Sequence, residues 1–157
     1  MILSILKGHI KEKLILQFLK KNNHTDMILI NKTKEAIPQK NSMLHSATIW
    51  MNGIMNAYTT NDTFITDNIS WVATATNWNR FSATASLGMI HMCNSSKALE
   101  VLNPYLTGGA QLGGSSSPYA TAGAHFAYGL INANQFTPEH NNHFMDGFRN
   151  SGQNETI

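Results

Sequence analysis

The chain has 157 residues, 42% of them hydrophobic, enough to bury one core and too few for two domains. Eleven Lys and Arg against nine Asp and Glu leave a formal charge of +2, too small for bulk electrostatics to recruit nucleic acid or an anionic membrane. One cysteine, Cys93, excludes an internal disulfide and leads to the expectation of a reducing, intracellular setting.

At the N-terminus, Ile2-Leu3-Ser4-Ile5-Leu6 is shorter than a signal-peptide core and runs into Lys7, Gly8 and His9, so no secretory leader is expected. The sequons at Asn23, Asn31, Asn61, Asn68, Asn94 and Asn154 then read as a by-product of abundant asparagine. From Lys11 to Lys21, Leu14, Ile15, Phe18 and Leu19 recur at helical spacing and predict an amphipathic helix. The basic residues cluster before residue 41 (Lys7, Lys11, Lys13, Lys20, Lys21, Lys32, Lys34 and Lys40) and read as a solvated helix face.

Asn23-His24-Thr25-Asp26 predicts a turn and N-cap for a short helix around Met27 to Lys34. Pro38 and Asn41 interrupt, with Ser42 a candidate cap. Leu44, Ala47, Met51, Ile54 and Met55 mark the next helix. Thr60-Asn61-Asp62 starts another that carries Phe64, Ile65, Ile69, Trp71 and Val72. Short turns between helices predict antiparallel neighbours.

Two phrases then repeat: Ala83-Thr84-Ala85-Ser86-Leu87-Gly88-Met89-Ile90-His91, and Ala124-His125-Phe126-Ala127-Tyr128-Gly129-Leu130-Ile131-Asn132, with Gly88 and Gly129 41 residues apart. Such a period predicts stacked supersecondary units, each burying its apolar face on a neighbour. Between the phrases lie a helix from Lys97 to Leu106, with Ala98, Leu99, Leu102 and Leu106 inward, and a Gly/Ser-rich loop. Ser117 and Pro118 open the second phrase as N-cap and first-turn residues. The small residues Ala83, Ala85, Gly88, Gly123, Ala124, Ala127 and Gly129 suit close approach of helix backbones. Glycine inside a helix costs about 1 kcal/mol against alanine, so two in register imply a packing reason.

Signals of chemistry are weak. The glycines at 108, 109, 113 and 114 lack the Gly-Lys-Ser/Thr of a phosphate loop and a preceding strand. His140 and His143 are spaced by three without nearby cysteines. Cys93 has no nucleophile motif around it. Trp50, Trp71 and Trp78 read as core anchors within helix stripes, not as a stacking platform. No run reaches the roughly 18–20 apolar residues that a spanning helix needs.

The chain resembles the 26S proteasome non-ATPase regulatory subunit 1 family between Ile2 and Asn134. The resemblance rests on Leu16-Gln17-Phe18-Leu19, Asn22-Asn23-His24-Thr25-Asp26, Asp67-Asn68-Ile69-Ser70-Trp71, Ala73-Thr74-Ala75-Thr76-Asn77-Trp78, Phe81 through His91, and Tyr128-Gly129-Leu130-Ile131-Asn132-Ala133-Asn134. It implies an all-α fold, an armadillo-like α-solenoid of proteasome/cyclosome repeats. The expected divisions are a helical rod segment at 1–76, a first repeat at 77–107, a loop at 108–117, the first helix of a second repeat at 118–136 and a tail at 137–157 that is disordered or only briefly helical. The rest of the family's repeat ring has no counterpart here, so the resemblance reads as a truncated or diverged partial copy.

The resemblance also implies a non-catalytic scaffold of the regulatory-particle base, in cytoplasm and nucleus, acting in ubiquitin-dependent degradation. Its partners would be other regulatory-particle subunits, with no cofactor, metal, nucleic acid, membrane or small-molecule substrate. A free-standing helical-repeat adaptor and a non-functional duplicate are the alternatives. The packing residues expected to carry the array are Trp71, Trp78, Phe81, Leu87, Gly88, Ile90, Leu99, Leu102, Phe126, Gly129 and Ile131. Two departures from the family pattern stand out. His91-Met92-Cys93 lacks the glycine of a His-x-Gly helix end, where Asn94 is the candidate substitute, and Pro104 falls inside a helix. The second phrase is expected to leave Phe126, Tyr128 and Ile131 without a partner.

Overall fold

A computed structural model describes residues 2–37, 43–106, 117–133 and 137–151. Ser42 and the Gly/Ser-rich stretch at 108–116 lie outside them. The ordered elements are α1 (Ile2–Leu6), α2 (His9–Lys21), α3 (Met27–Ala36), α4 (Met43–Met55), α5 (Thr63–Asp67), α6 (Ile69–Ala73), α7 (Trp78–Ile90), α8 (Ala98–Leu106), α9 (Pro118–Ile131) and α10 (Pro138–Ser151). A short 3-10 helix, Ser95–Lys97, leads into α8. Every regular element among the described residues is helical, and the fold is an all-α solenoid. No helix of the described residues is long and apolar enough to cross a membrane.

Packing is sequential. α3 lies on α4, α4 on α7 and α7 on α9, with α8 also against α9. Ile30, Ile49, Phe64, Ile65, Val72, Leu87, Ile90, Leu102, Tyr128 and Ile131 form one continuous buried cluster through the stack. The chain is thus held by nearest-neighbour helix contacts, as expected of a solenoid.

Local chemistry explains the helix ends. Asp26 caps α3, its carboxylate accepting from the amides of Ile28 (2.9 Å) and Leu29 (3.2 Å). The turn before it is tied to α4: Asn23 donates to the Asn56 side chain (3.4 Å) and Thr25 to the Met55 carbonyl (3.3 Å). Asn56 in turn donates to Asn52 (2.9 Å), and both are fully buried. The loop after α4 closes the end of α7, because the amides of Tyr58 and Thr60 donate to the carbonyls of Met89 (3.2 Å) and Ile90 (3.0 Å). To do so Tyr58 and Thr60 take positive φ, 64° and 60°.

Four expectations are corrected. The single helix expected after Thr60 is two short ones, α5 and α6. The break falls at Asn68, whose side-chain amide donates to the Phe64 carbonyl (2.8 Å) and so competes with the helix's own ladder. The stripe of α2 is not buried by this chain: Leu14, Ile15 and Phe18 are exposed.

The third correction concerns the end of the chain. The tail expected to be disordered or only briefly helical forms α10, a helix of 14 residues. Its N-terminus is closed by His140, whose Nδ1 accepts from the Thr137 amide (3.0 Å), and this occupies one of the two histidines considered for a metal. Its Phe144 ring meets Tyr128 at 5.3 Å, and both Tyr128 and Ile131 of α9 are buried in the common core instead of unpartnered. An amphipathic segment rich in His and Asn gains helical order from such packing, which composition does not display.

Fourth, the residue that turns left-handed after α7 is Cys93 (φ 63°), while Asn94 stays at φ −103°. The missing glycine is therefore replaced by a cysteine held in the strained conformation itself. Pro104 sits inside α8, within the last three described residues of that helix. Ser117 occupies the N-cap position of α9 without a side-chain cap hydrogen bond, and Pro118 opens the helix.

Candidate protein-interaction surface

The repeated phrases become α7 and α9, and they meet backbone to backbone. A Cβ placed on Gly88 would stand 2.8 Å from the Ala127 Cβ and 2.9 Å from its carbonyl oxygen. One placed on Gly123 would stand 2.5 Å from the Phe81 carbonyl oxygen. Neither space admits a side chain, since carbon contacts of this length lie deep in the repulsive wall. Around these two glycines Ala83, Ala85, Ala124 and Ala127 are buried, and the Thr84 hydroxyl donates across the seam to the Ala120 carbonyl (3.1 Å).

Gly129 behaves differently. A Cβ there would meet only the Phe144 ring edge, at an ordinary 3.5 Å. The glycine that matches Gly88 in the phrase is thus not at the seam; Gly88 meets Ala127 there and Gly123 meets Phe81. Spacing within the repeat marked both positions as small, but the crossing of two helices decides which small residue sits at the contact.

The other expected packing residues separate into two groups. Trp71, Leu87, Ile90, Leu102 and Ile131 are buried, and Gly88 lies with them. The Trp71 ring lies 4.1 Å from His45, whose Nε2 is 3.1 Å from the Trp71 carbonyl oxygen, and edge-on to Phe64 at 6.1 Å. Trp78, Phe126 and Leu99 lie outside the core, 59%, 48% and 44% exposed, and Phe81 is half-buried. Trp78 is the first residue of α7, where only the edge of α9 at Tyr119 is seen against its ring, among the described residues.

Three of these displaced residues build a surface. Tyr119 meets Trp78 at 5.3 Å, Trp78 meets Phe81 at 5.5 Å, and Phe81 meets Phe126 at 5.7 Å. The result is an aromatic ladder running over α7 and α9, with the Trp78 and Phe126 rings open to solvent. Exposed Trp, Tyr and Phe on a rigid helix pair offer large contact area at small entropic cost, the composition of interface anchors.

The polar groups at the C-terminal end of α7 serve the fold. His91, buried at the end of α7, places Nε2 3.3 Å from Asp62 Oδ2. That hydrogen bond holds the Asp62 carboxyl below its ordinary range, against the opposing effect of burial. Burial and the neighbouring Glu12 carboxylate push the Cys93 thiol up to about 12, so the thiolate needed for nucleophilic attack is scarce at neutral pH. Among the described residues no three His, Cys, Asp or Glu side chains are grouped to hold a metal ion. The arrangement offers shape and apolar area rather than bond-making groups.

No protein-family model matches the chain. Curated relatives do match. The chain is 45% identical over 130 residues to the 26S proteasome non-ATPase regulatory subunit 1 homolog B of Arabidopsis thaliana, a span covering 83% of this chain and 13% of that protein. It is 42% identical over 133 residues to the 26S proteasome regulatory subunit rpn2 of Schizosaccharomyces pombe, covering 85% and 14%. The 26S proteasome non-ATPase regulatory subunit 1 of Drosophila melanogaster shares 44% over 133 residues, covering 85% and 12%. The chain therefore spans about an eighth of the length of the curated relatives it matches. Identity of this order over most of the chain, on a helical stack of the expected kind, makes the chain a homologue of one segment of the 26S proteasome non-ATPase regulatory subunit 1 family.

Proposed function

We propose that this chain is a non-catalytic scaffold segment that contacts other subunits of the proteasome regulatory particle, in cytoplasm and nucleus, and so acts in ubiquitin-dependent protein degradation. The observation that carries the reading is the joined α7/α9 pair. Two helices are locked at backbone distance by Gly88 and Gly123, and they carry an exposed aromatic ladder on a segment homologous to proteasome regulatory subunits. A rigid pair of this kind presents a fixed shape, as a scaffold requires.

The test is affinity capture of the tagged chain from cells, with regulatory-particle ATPase subunits quantified in the eluate. Enrichment of those subunits with the wild type, reduced at least about tenfold in Trp78→Ala/Phe126→Ala, is the expected result. Capture of the chain without proteasome subunits contradicts the reading and favours an independent adaptor.

A further inference from the structure

The N-terminus of α10 is closed by a titratable group. Thr137 stands directly before Pro138, the first residue of the helix, and His140 is the third helical residue, so the two occupy the N-cap and N3 positions. In a capping box the N3 side chain, ordinarily Glu or Gln, accepts from the N-cap amide. Here the imidazole takes that part: Nδ1 accepts from the Thr137 amide at 3.0 Å, and the Thr137 hydroxyl lies 3.2 Å from the same nitrogen. A backbone amide can only donate, so this bond requires a lone pair on Nδ1 and leaves the ring's one proton on Nε2.

The same ring is part of the contact with α9, standing edge-on to Tyr128 at 5.8 Å. Further along α10, Phe144 meets Tyr128 at 5.3 Å and His125 at 6.1 Å, and the Gly147 backbone lies against the His125 ring. A helix of 14 residues is marginal in water by itself, so closure of its first turn and packing on α9 support each other. Tyr128, which α9 sets against His140, is uncharged near neutral pH, since burial pushes its hydroxyl up further. His125 is the other histidine that α9 turns toward α10. On α10 itself Glu139 is exposed and adjacent in sequence, where side chains point apart, and Asp146 and Arg149 pair with each other at 3.9 Å more than a turn further on.

We propose that α10 is a pH-operated lid on α9: its capping box is closed while His140 is unprotonated and opens when the imidazole gains a proton, releasing the helix from Tyr128 and His125. Protonation turns Nδ1 from acceptor into donor, so two N–H groups face each other and the bond to Thr137 is lost. It also sets a positive charge in the first turn, where the helix dipole disfavours cations. Both effects act in one direction, and they act in the pH range where histidine changes charge. Glutamine at this position would keep the acceptor and remove the titration. The inference concerns α10 and its seat on α9, and stands apart from the scaffold reading.

The test is hydrogen exchange of the full chain, resolved by peptide and corrected for the intrinsic pH dependence of exchange, at about pH 7.5 and about pH 5.5. Protection of α10 in the wild type should fall at least about fivefold at the lower pH, while α7 keeps its protection as the internal reference. His140→Gln should match the wild type at the higher pH and keep that protection at the lower one. His140→Ala should exchange as fast at the higher pH as the wild type does at the lower. No fall in the wild type, or an equal fall in His140→Gln, overturns the proposal. So does an equal loss across α7, which marks global unfolding, and so does a fall that persists in His140→Gln but disappears in His125→Asn, which assigns the response to the buried histidine of α9.

Discussion

Cys93 and Asp62 show how single residues tune this stack. Cys93 holds φ 63° at the turn after α7, a conformation that costs a residue with a Cβ roughly 1 kcal/mol and glycine almost nothing. Cys93→Gly should raise stability by about 1 kcal/mol in denaturant unfolding, while Cys93→Ala, which keeps the strain, should not. The sequence reveals that a glycine is missing there, but not whether cysteine or asparagine bends, because that depends on how the 3-10 helix Ser95–Lys97 leads into α8. Asp62 carries a pH dependence. Its carboxyl is held below the ordinary value of 3.8 by the His91 hydrogen bond, so the folded state binds its proton less readily than the unfolded chain. The stabilisation is present above the unfolded value and is lost as the pH falls through the folded one. Wild type should therefore lose more stability than Asp62→Asn on acidification below about pH 4, measured by urea midpoints. The pairing was invisible in sequence, since Asp62 and His91 are joined only when the loop after α4 closes over α7.

Among the elements, α10 is the one composition concealed. Residues 137–151 are polar and rich in His and Asn, and nothing in their spacing announces that Phe144 will meet Tyr128. The apolar face of α9 was legible; what covers it was not, because burial of a face is settled by a neighbour outside its own window. A Cβ on Gly147 would lie 3.0 Å from His125 Nε2, a second point where α10 lies close on α9. Phe144→Ala should cost about 1–2 kcal/mol, less than a fully buried phenylalanine because its ring is half-buried, and should expose Tyr128 to fluorescence quenchers. By contrast, the existence of α2, α3, α4, α7, α8 and α9 was legible from apolar spacing, capping residues and Pro118, because each of these signals acts within a few residues. The exposed stripe of α2 marks the limit of that method. Periodicity finds an apolar face without saying whether this chain or another covers it.

For the whole molecule, the repeat of small residues is the feature that turns two helices into one scaffold. The sequence placed glycines and alanines in both phrases. Only the crossing of α7 and α9 shows that Gly88 faces Ala127 and Gly123 faces Phe81, while Gly129 stands clear. Stacks of this kind are stabilised interface by interface, so opening the α7/α9 seam should release α8, α9 and α10 together. The most direct measurement is thermal unfolding of purified wild type, Gly88→Val and Gly129→Ala. Gly88→Val should lose more than about 2 kcal/mol, or its cooperative transition altogether, while Gly129→Ala should match or exceed wild type. Gly88→Val melting with the wild type would contradict the close backbone contact on which the scaffold reading is built.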